Sequence, residues 1–385
     1  MPGCTRCNSR MAMDRQKLKI LFLNSIGAGI WGGLENWMEM CGVGLARRSH
    51  QVCFAGRTDS EFLRRVSSHP DVEILPLDIS GDFCPKTIRQ LSDYLRKNQI
   101  DVVLCNFVKD VRLAGMAQKF GGGCRIVWTP GVNLAKKSFS HRILFSGYVA
   151  KVIVPSASLR DEIVASGFIE PSKFEVIPIG IDPLHWQGSR KSGREFIIEK
   201  YNLPEDAFIC LTSGRFVRQK GHRYLVEAAS TLAEKYNNIY FLWLGDGPMQ
   251  VTLQEQIKDH DLNKHFIFCG LLESHQQVVF GADLYVHPAI VEPFGIVLVE
   301  AMAASLPVVA SCIGGIPEVV ADTETAILVE PRQPSQLTKA IEQFYNNRVM
   351  GDKFGQAGYD RFKQNFRLET MIDRVEKSLI EAAQA

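Results

Sequence analysis

Leu284-Tyr-Val-His-Pro288 followed by Glu292-Pro-Phe-Gly-Ile-Val-Leu-Val-Glu300 reads as a short apolar strand, a Pro/Gly turn and the first turns of a helix. The turn and helix hold two carboxylates eight positions apart, a little over two helical turns, so both can face one ligand, one from the loop and one from the helix. A loop of this kind offers free backbone N–H groups and the positive end of a helix dipole to an anion. The pattern suits a ligand with phosphates on one side and hydroxyls on the other, and a nucleotide sugar has that form.

Outward from this unit the same alternation runs in both directions. Strand patterns fall at 19–24, 51–55, 72–77, 101–106, 125–128 and 151–155, with helical periodicity over 35–47, 60–67, 86–97 and 113–120. A polar, turn-rich connection at 182–204, with Gly188 and Gly193, precedes a second series of strands near Ala207, Ile239, Phe266, Leu284, Pro307 and Ala326. Strands alternating with helices predict an α/β chain with parallel sheets covered on both faces. Two Rossmann-like domains facing each other across a cleft follow, with ligands bound outside the carboxyl ends of the strands. The expected division is a leader at 1–16, read as disordered, a first domain at 17–182, a linker at 183–204 and a second domain at 205–362, with the remaining 363–385 helical.

A chain of 385 residues is long for a single core, and its 46% apolar and 22% charged composition is that of a globular protein. Residues 1–183 carry 24 Lys+Arg against 17 Asp+Glu, whereas the rest is acidic, which points to an anionic surface or acceptor at the first half or to a coincidence of solvated faces. No run approaches the roughly 18 apolar residues of a membrane helix, and the first residues lack the apolar block of a secretion signal. The expectation is a cytoplasmic protein, with Met11 or Met13 as alternative starts. Cys53, Cys105, Cys210, Cys269 and Cys312 lie within apolar strand patterns and read as reduced core thiols. Cys4 and Cys7 form a lone pair without a second pair or a His at zinc spacing.

Other glycine motifs follow the strands in order: Gly214-Arg215-Phe-Val-Arg-Gln-Lys220-Gly221, Leu244-Gly245-Asp246-Gly247-Pro248 and Gly314-Gly315-Ile-Pro-Glu318, with Gly32-Gly33-Leu-Glu35 and Val176-Ile-Pro-Ile-Gly180-Ile-Asp182 upstream. Taken together with the two-glutamate loop, they resemble the retaining glycosyltransferases of family four, which have the GT-B fold. The resemblance runs from about Lys17 to about Arg361. It implies that the final helix, 363–385, packs back on the first domain.

The resemblance assigns Arg215, Lys220 and Glu292 to the chemistry: the two cations stabilise the departing diphosphate, and Glu292 contacts the donor sugar near its anomeric carbon. It gives Glu300 to the ribose hydroxyls, and the backbone of Phe294, Gly295, Ile296 and Val297 to phosphate and sugar. Gly214 belongs to the same site, Gly270 and Leu272 would shelter the base, and Gly32 and Gly33 would let backbone approach phosphate from the other domain. Read without the resemblance, Arg215 and Lys220 are two surface cations on a turn, Glu292 is a carboxylate at a helix start, and Gly32-Gly33 is a tight turn.

The chain departs from the family where a His is common after Ile126-Val-Trp-Thr-Pro130; here stands Gly131-Val-Asn133, with Asn133 or His141 as substitutes. Ile179 replaces the Asn common before Gly180. Asp259-His-Asp261 has the spacing of a metal motif from the other main glycosyltransferase fold, but it sits in a polar helix end, so no cofactor and no metal are expected. The candidates on the acceptor side are Glu35, Lys136 and Lys137; the segment from Asn133 to Phe145 interleaves cations with apolar residues and suits an anionic membrane face or a phosphorylated glycolipid, or is simply a half-buried helix.

The expected activity is transfer of a hexose from a nucleotide-diphosphate sugar to a glycan or glycolipid hydroxyl, in bacterial surface polysaccharide or lipopolysaccharide core synthesis, with peripheral contact at the inner face of the cytoplasmic membrane. The rivals are a nucleotide-sugar epimerase, a phosphorylase, for which no pyridoxal lysine motif is visible, and a sugar-nucleotide-binding protein without catalysis. Nucleic acid is not expected as a partner, because the basic half lacks interleaved aromatic platforms.

Overall fold

The computed structural model describes residues 16–29, 31–81, 83–131, 147–272 and 275–384. Among them lie two parallel sheets. The first consists of β1 (Lys19–Asn24), β2 (Gln51–Arg57), β3 (Glu73–Leu77), β4 (Val102–Cys105), β5 (Arg125–Trp128), β6 (Val149–Val154) and β7 (Phe174–Val176), in the order 3-2-1-4-5-6-7. The second consists of β8 (Phe208–Ser213), β9 (Ile239–Leu244), β10 (Phe266–Gly270), β11 (Leu284–His287), β12 (Val308–Ser311) and β13 (Ala326–Val329), in the order 10-9-8-11-12-13. Each sheet winds outward from its first strand in one direction and then in the other, the doubly wound order of a Rossmann-like domain.

Alternation along the strands of the second sheet sorts its side chains into two cores. Phe208, Cys210, Phe241, Trp243, Leu284 and Val286 pack with the helix His222–Lys235 on one face. Ile209, Leu211, Leu242, Leu244, Tyr285 and Val308 pack with the helix Ile296–Ala303 on the other. Because both faces are covered, strands such as Val308–Ser311 are buried at every position, as their unbroken apolar runs require.

Contacts divide the chain into two units: one holds the described residues up to Trp128 together with Gly147–Lys151 and the end of the chain from Glu376, and the other holds the described residues 129–131 and Val152–Val375. Within the first unit, Glu376 accepts from Arg48 Nη1 at 2.7 Å and lies 2.9 Å from His50 Nε2, and Lys151 reaches Glu381 at 2.7 Å. The final helix, Leu368–Gln384, therefore delivers its last turns to the residues of the first sheet.

Two local readings are corrected. The connection at 183–204 is not turn-rich throughout but carries the helix Arg190–Tyr201, capped by Ser189 and burying Ile197. Its glycines serve contact rather than turning, since a Cβ at Gly193 would press into the backbone of Gln277 and Gly281 on the helix His275–Gly281. Of the thiols expected in the core, Cys53, Cys105 and Cys210 are buried, but Cys269 is only partly so and Cys312, one residue past the end of β12, is exposed.

Candidate functional site

The switch point of the second sheet lies between β8 and β11, which pair in parallel with Leu284 opposite Cys210. Chains leaving these two strands diverge, and the space beyond their carboxyl ends is where such sheets take ligands. The loop after β8 runs through Gly214 and the exposed Arg215 into a single turn, Arg218–Lys220. The loop after β11 runs through Glu292 into the helix Ile296–Ala303.

Backbone contacts lock these loops together. The amides of Ile290 and Val291 both reach the carbonyl of Gln219, at 2.8 and 3.3 Å. Gly221 has φ +69°, and a Cβ there would collide with the carbonyl of Pro288. Gly314, with φ +56°, sits as tightly on the carbonyl of Glu292, to which the amide of Gly315 donates at 3.0 Å. The carboxylate of Glu318, in the same motif, accepts from the amides of Ala157 and Ser158, so it caps the helix Ala157–Val164 rather than joining the cluster below.

At the centre, Oε2 of Glu292 accepts from Lys220 Nζ at 2.6 Å and from His287 Nε2 at 2.8 Å. Glu292 is only 7% exposed. Burial on its own would push its carboxyl up, but the Lys220 ammonium and the His287 hydrogen bond outweigh it and hold the group down to about 2. Burial lowers the basicity of His287 against the pull of Glu292, so its ring is neutral. His222, the first residue of the helix after Gly221, is pushed down to about 3 by burial, with His287 and Lys220 adding to the effect.

Glu300 stands on the next turns of the same helix with no cation beside it among the described residues; His275 Nε2 is 4.0 Å away and is itself kept uncharged by burial. Burial therefore pushes the Glu300 carboxyl up to about 8. Gly295, with φ +96°, turns the chain into the helix, and the first amides, those of Ile296 and Val297, have no acceptor within it. Gly270, with φ +68°, ends β10, and Leu272 packs partly against the core that holds Leu298.

The structure thus brings Lys220 and Glu292 into contact and sets Phe294, Gly295, Ile296, Val297 and Glu300 on the same loop and helix. Arg215 is exposed and does not join the cluster. Gly32, Gly33 and Glu35 lie in the other unit, where Gly32 caps the helix Gly33–Arg47. Glu35 is buried there against Asn24 Nδ2 at 3.3 Å, and burial raises its carboxyl, so its side chain is committed to the interior rather than offered to an acceptor. Lys136, Lys137, Asn133 and His141 fall outside the described residues. Asp259 ends the helix Gln250–Asp259 and His260 caps it. Among the described residues, no group of three or more His, Cys, Asp or Glu is placed to hold an ion, and no helix is long and apolar enough to cross a membrane.

Sequence reading missed His287, His222 and His275. Only His287 left a signal, a polar ring closing the apolar strand Leu284–His287 five residues before Glu292.

Residues 193–361 match the family model described as glycosyl transferases group 1, and residues 31–184 match that of glycosyltransferase family 4. An alpha-maltose-1-phosphate synthase of Mycolicibacterium smegmatis is 29% identical over 227 residues, covering 56% of this chain and 59% of that protein. The chain spans 59% and 51% of the first two curated relatives it matches. Among solved structures, the Anabaena protein Alr3699/HepE in complex with UDP-glucose aligns at a TM-score of 0.83 and 21% identity, covering 94% of this chain and all of that one. WaaG, a glycosyltransferase involved in lipopolysaccharide biosynthesis, aligns at 0.71 and 18% identity, covering 93% and 98%. These two likenesses show the GT-B fold, with its two Rossmann-like domains.

Proposed function

This chain belongs to the group 1 glycosyltransferases of family 4, and from that premise we propose that it moves a hexose from a nucleotide-diphosphate sugar to a hydroxyl of a glycan or glycolipid, with retention at the anomeric carbon and without a metal. The observation that carries the proposal is the convergence of Lys220 and the buried His287 on the buried Glu292 at the switch point, on the loop that leads to the helix-start amides of Ile296 and Val297. In this reading those amides and Lys220 take the diphosphate, and Arg215 adds a second positive charge from the loop edge. The bond from the anomeric carbon to the diphosphate breaks as the acceptor oxygen bonds on the same face, and a phosphate oxygen receives the acceptor's proton. Glu292, ionised and close to the sugar, steadies the positive charge that develops on the ring. Glu300 accepts the ribose hydroxyls. Lys220 and Arg215 supply the charge that a divalent ion supplies elsewhere.

The surface-polysaccharide or lipopolysaccharide setting, the cytoplasmic location and a peripheral contact with the inner membrane face belong to the same proposal; the lipopolysaccharide role of WaaG and the basic first half of the chain support it. The test is thermal stabilisation across UDP, GDP, ADP, CMP and dTDP sugars with and without EDTA, followed by product analysis for anomeric configuration. A shift with one nucleotide that survives EDTA, and a product of retained configuration, is expected. Inversion, loss of turnover in EDTA or epimerised free donor would each overturn the corresponding part, and binding without turnover would leave a sugar-nucleotide-binding protein.

A further inference from the structure

We propose that His287 is a positioning residue for this transfer: it keeps its hold on Oε2 of Glu292 while Lys220 turns its ammonium from that same oxygen to the diphosphate. The inference rests on the function proposed above and deepens it.

Two donors share one carboxylate oxygen, and they differ in freedom. Lys220 carries its charge on a flexible stem, and its side chain is 26% exposed. The His287 side chain is 1% exposed, at the end of β11, with its ring stacked 6.3 Å from that of Tyr285. Tyr285 in turn is fixed by a 2.6 Å hydrogen bond between its hydroxyl and Ser213 Oγ. Of the two, only the lysine can leave.

The protonation state follows from the partners. An ionised carboxylate only accepts, so His287 Nε2 carries the hydrogen. Nδ1 is then an acceptor, and it is buried without a hydrogen-bond partner among the described residues. A second proton would bury an unpaired N–H there, which disfavours imidazolium. The other titratable groups around the pair are Lys220, His222 at the start of its helix, Tyr285 on the same strand and Glu300 beyond it. None of the uncharged ones can replace a departing ammonium. Without the imidazole, the withdrawal of Lys220 would leave Glu292 buried with no donor, and the carboxylate would take up a proton or swing aside.

The test compares His287→Ala and His287→Gln, since the glutamine amide can place an N–H near the position of Nε2. Donor dissociation constants are measured by calorimetry, and kcat is followed from pH 7 to pH 5. In H287A we expect kcat to fall on the order of tenfold to a hundredfold, donor affinity to stay within a factor of about three, and kcat to drop further toward pH 5 where the wild type is flat. H287Q should recover most of the rate and the flat profile. Nitrogen NMR of labelled histidine should show the Nε2–H tautomer at His287 in the resting protein, perturbed in E292Q. Equal kcat in wild type and H287A, the same loss in H287Q as in H287A, or the Nδ1–H tautomer would each overturn the inference. If H287A does not fold, the H287Q profile and the tautomer decide. If the wild type turns over no nucleotide sugar, the proposed function fails first, and the NMR still reports whether the hydrogen bond exists.

Discussion

Lys220 Nζ lies 2.6 Å from Oε2 of Glu292, joining a loop that leaves β8 to a loop that leaves β11 across 72 positions of sequence. In the function proposed above, the pair holds a cation beside the carboxylate until the donor's diphosphate arrives. Two phosphates outbid one carboxylate for an ammonium, so the pair is also the device by which donor binding is expected to rearrange the site.

Lys220→Ala should lower kcat on the order of a hundredfold or more with any donor that the wild type accepts, because it removes a charge aimed at the leaving group. Steady-state rates at saturating donor check this, and a near-normal rate would remove the role given to Lys220.

Glu300 gives a pH dependence of defined sign. Its folded pKa of about 8 stands above the ordinary 4.5, so the stability it contributes is full below 4.5 and is lost as pH rises through 8. A carboxylate accepts two ribose hydroxyls more strongly than a neutral carboxyl does, so nucleotide binding should tighten several-fold between pH 7 and 8.5, where the phosphates are already ionised. Calorimetry of wild type against Glu300→Gln checks this; the variant should bind more weakly and show no such slope.

Gly314→Ala meets two obstacles at once, a left-handed φ of +56° and the carbonyl of Glu292. We expect a loss of about 2 kcal/mol, with a lowered Tm, and a fall in kcat beyond what the stability loss explains, because the loop that aims Glu292 must shift. Thermal melts and rates on the folded variant separate the two effects.

Glu376→Ala tests a contact far along the chain from these loops. It leaves Arg48 and the fully buried His50 side chain without their carboxylate, within the first unit. Removing one member of a buried pair costs about 3 kcal/mol, so the melting temperature should fall by several degrees, while donor affinity at permissive temperature should not change.

Much of this protein was legible in sequence. The short apolar runs within 19–24 and 239–244 announced strands because a strand buried on both faces reads as a nearly continuous apolar stretch. The glycine motifs fell at strand ends because loops that close on one another leave no room for Cβ, as Gly221 on Pro288 and Gly314 on Glu292 show. Gly188 and Gly193 misled for the same reason: a glycine needed for close contact and a glycine needed for a turn look alike in a string of letters, and here a ring of Phe280 and the backbone of Gln277 and Gly281 explain them.

By itself the sequence determined the doubly wound fold, the order of the loops and the identity of Lys220, Glu292 and Glu300 as the groups to watch, since these depend on local periodicity and on motif spacing. Tertiary structure alone decided what each group is. Glu292 and Glu300 are the same residue type eight positions apart on one loop and helix, yet one is held down to about 2 and the other raised to about 8. The difference lies in neighbours that sequence does not place: Lys220 and His287 converge on the first, burial with no cation among the described residues acts on the second, and charge in a low-dielectric interior is governed by what stands within a few ångströms.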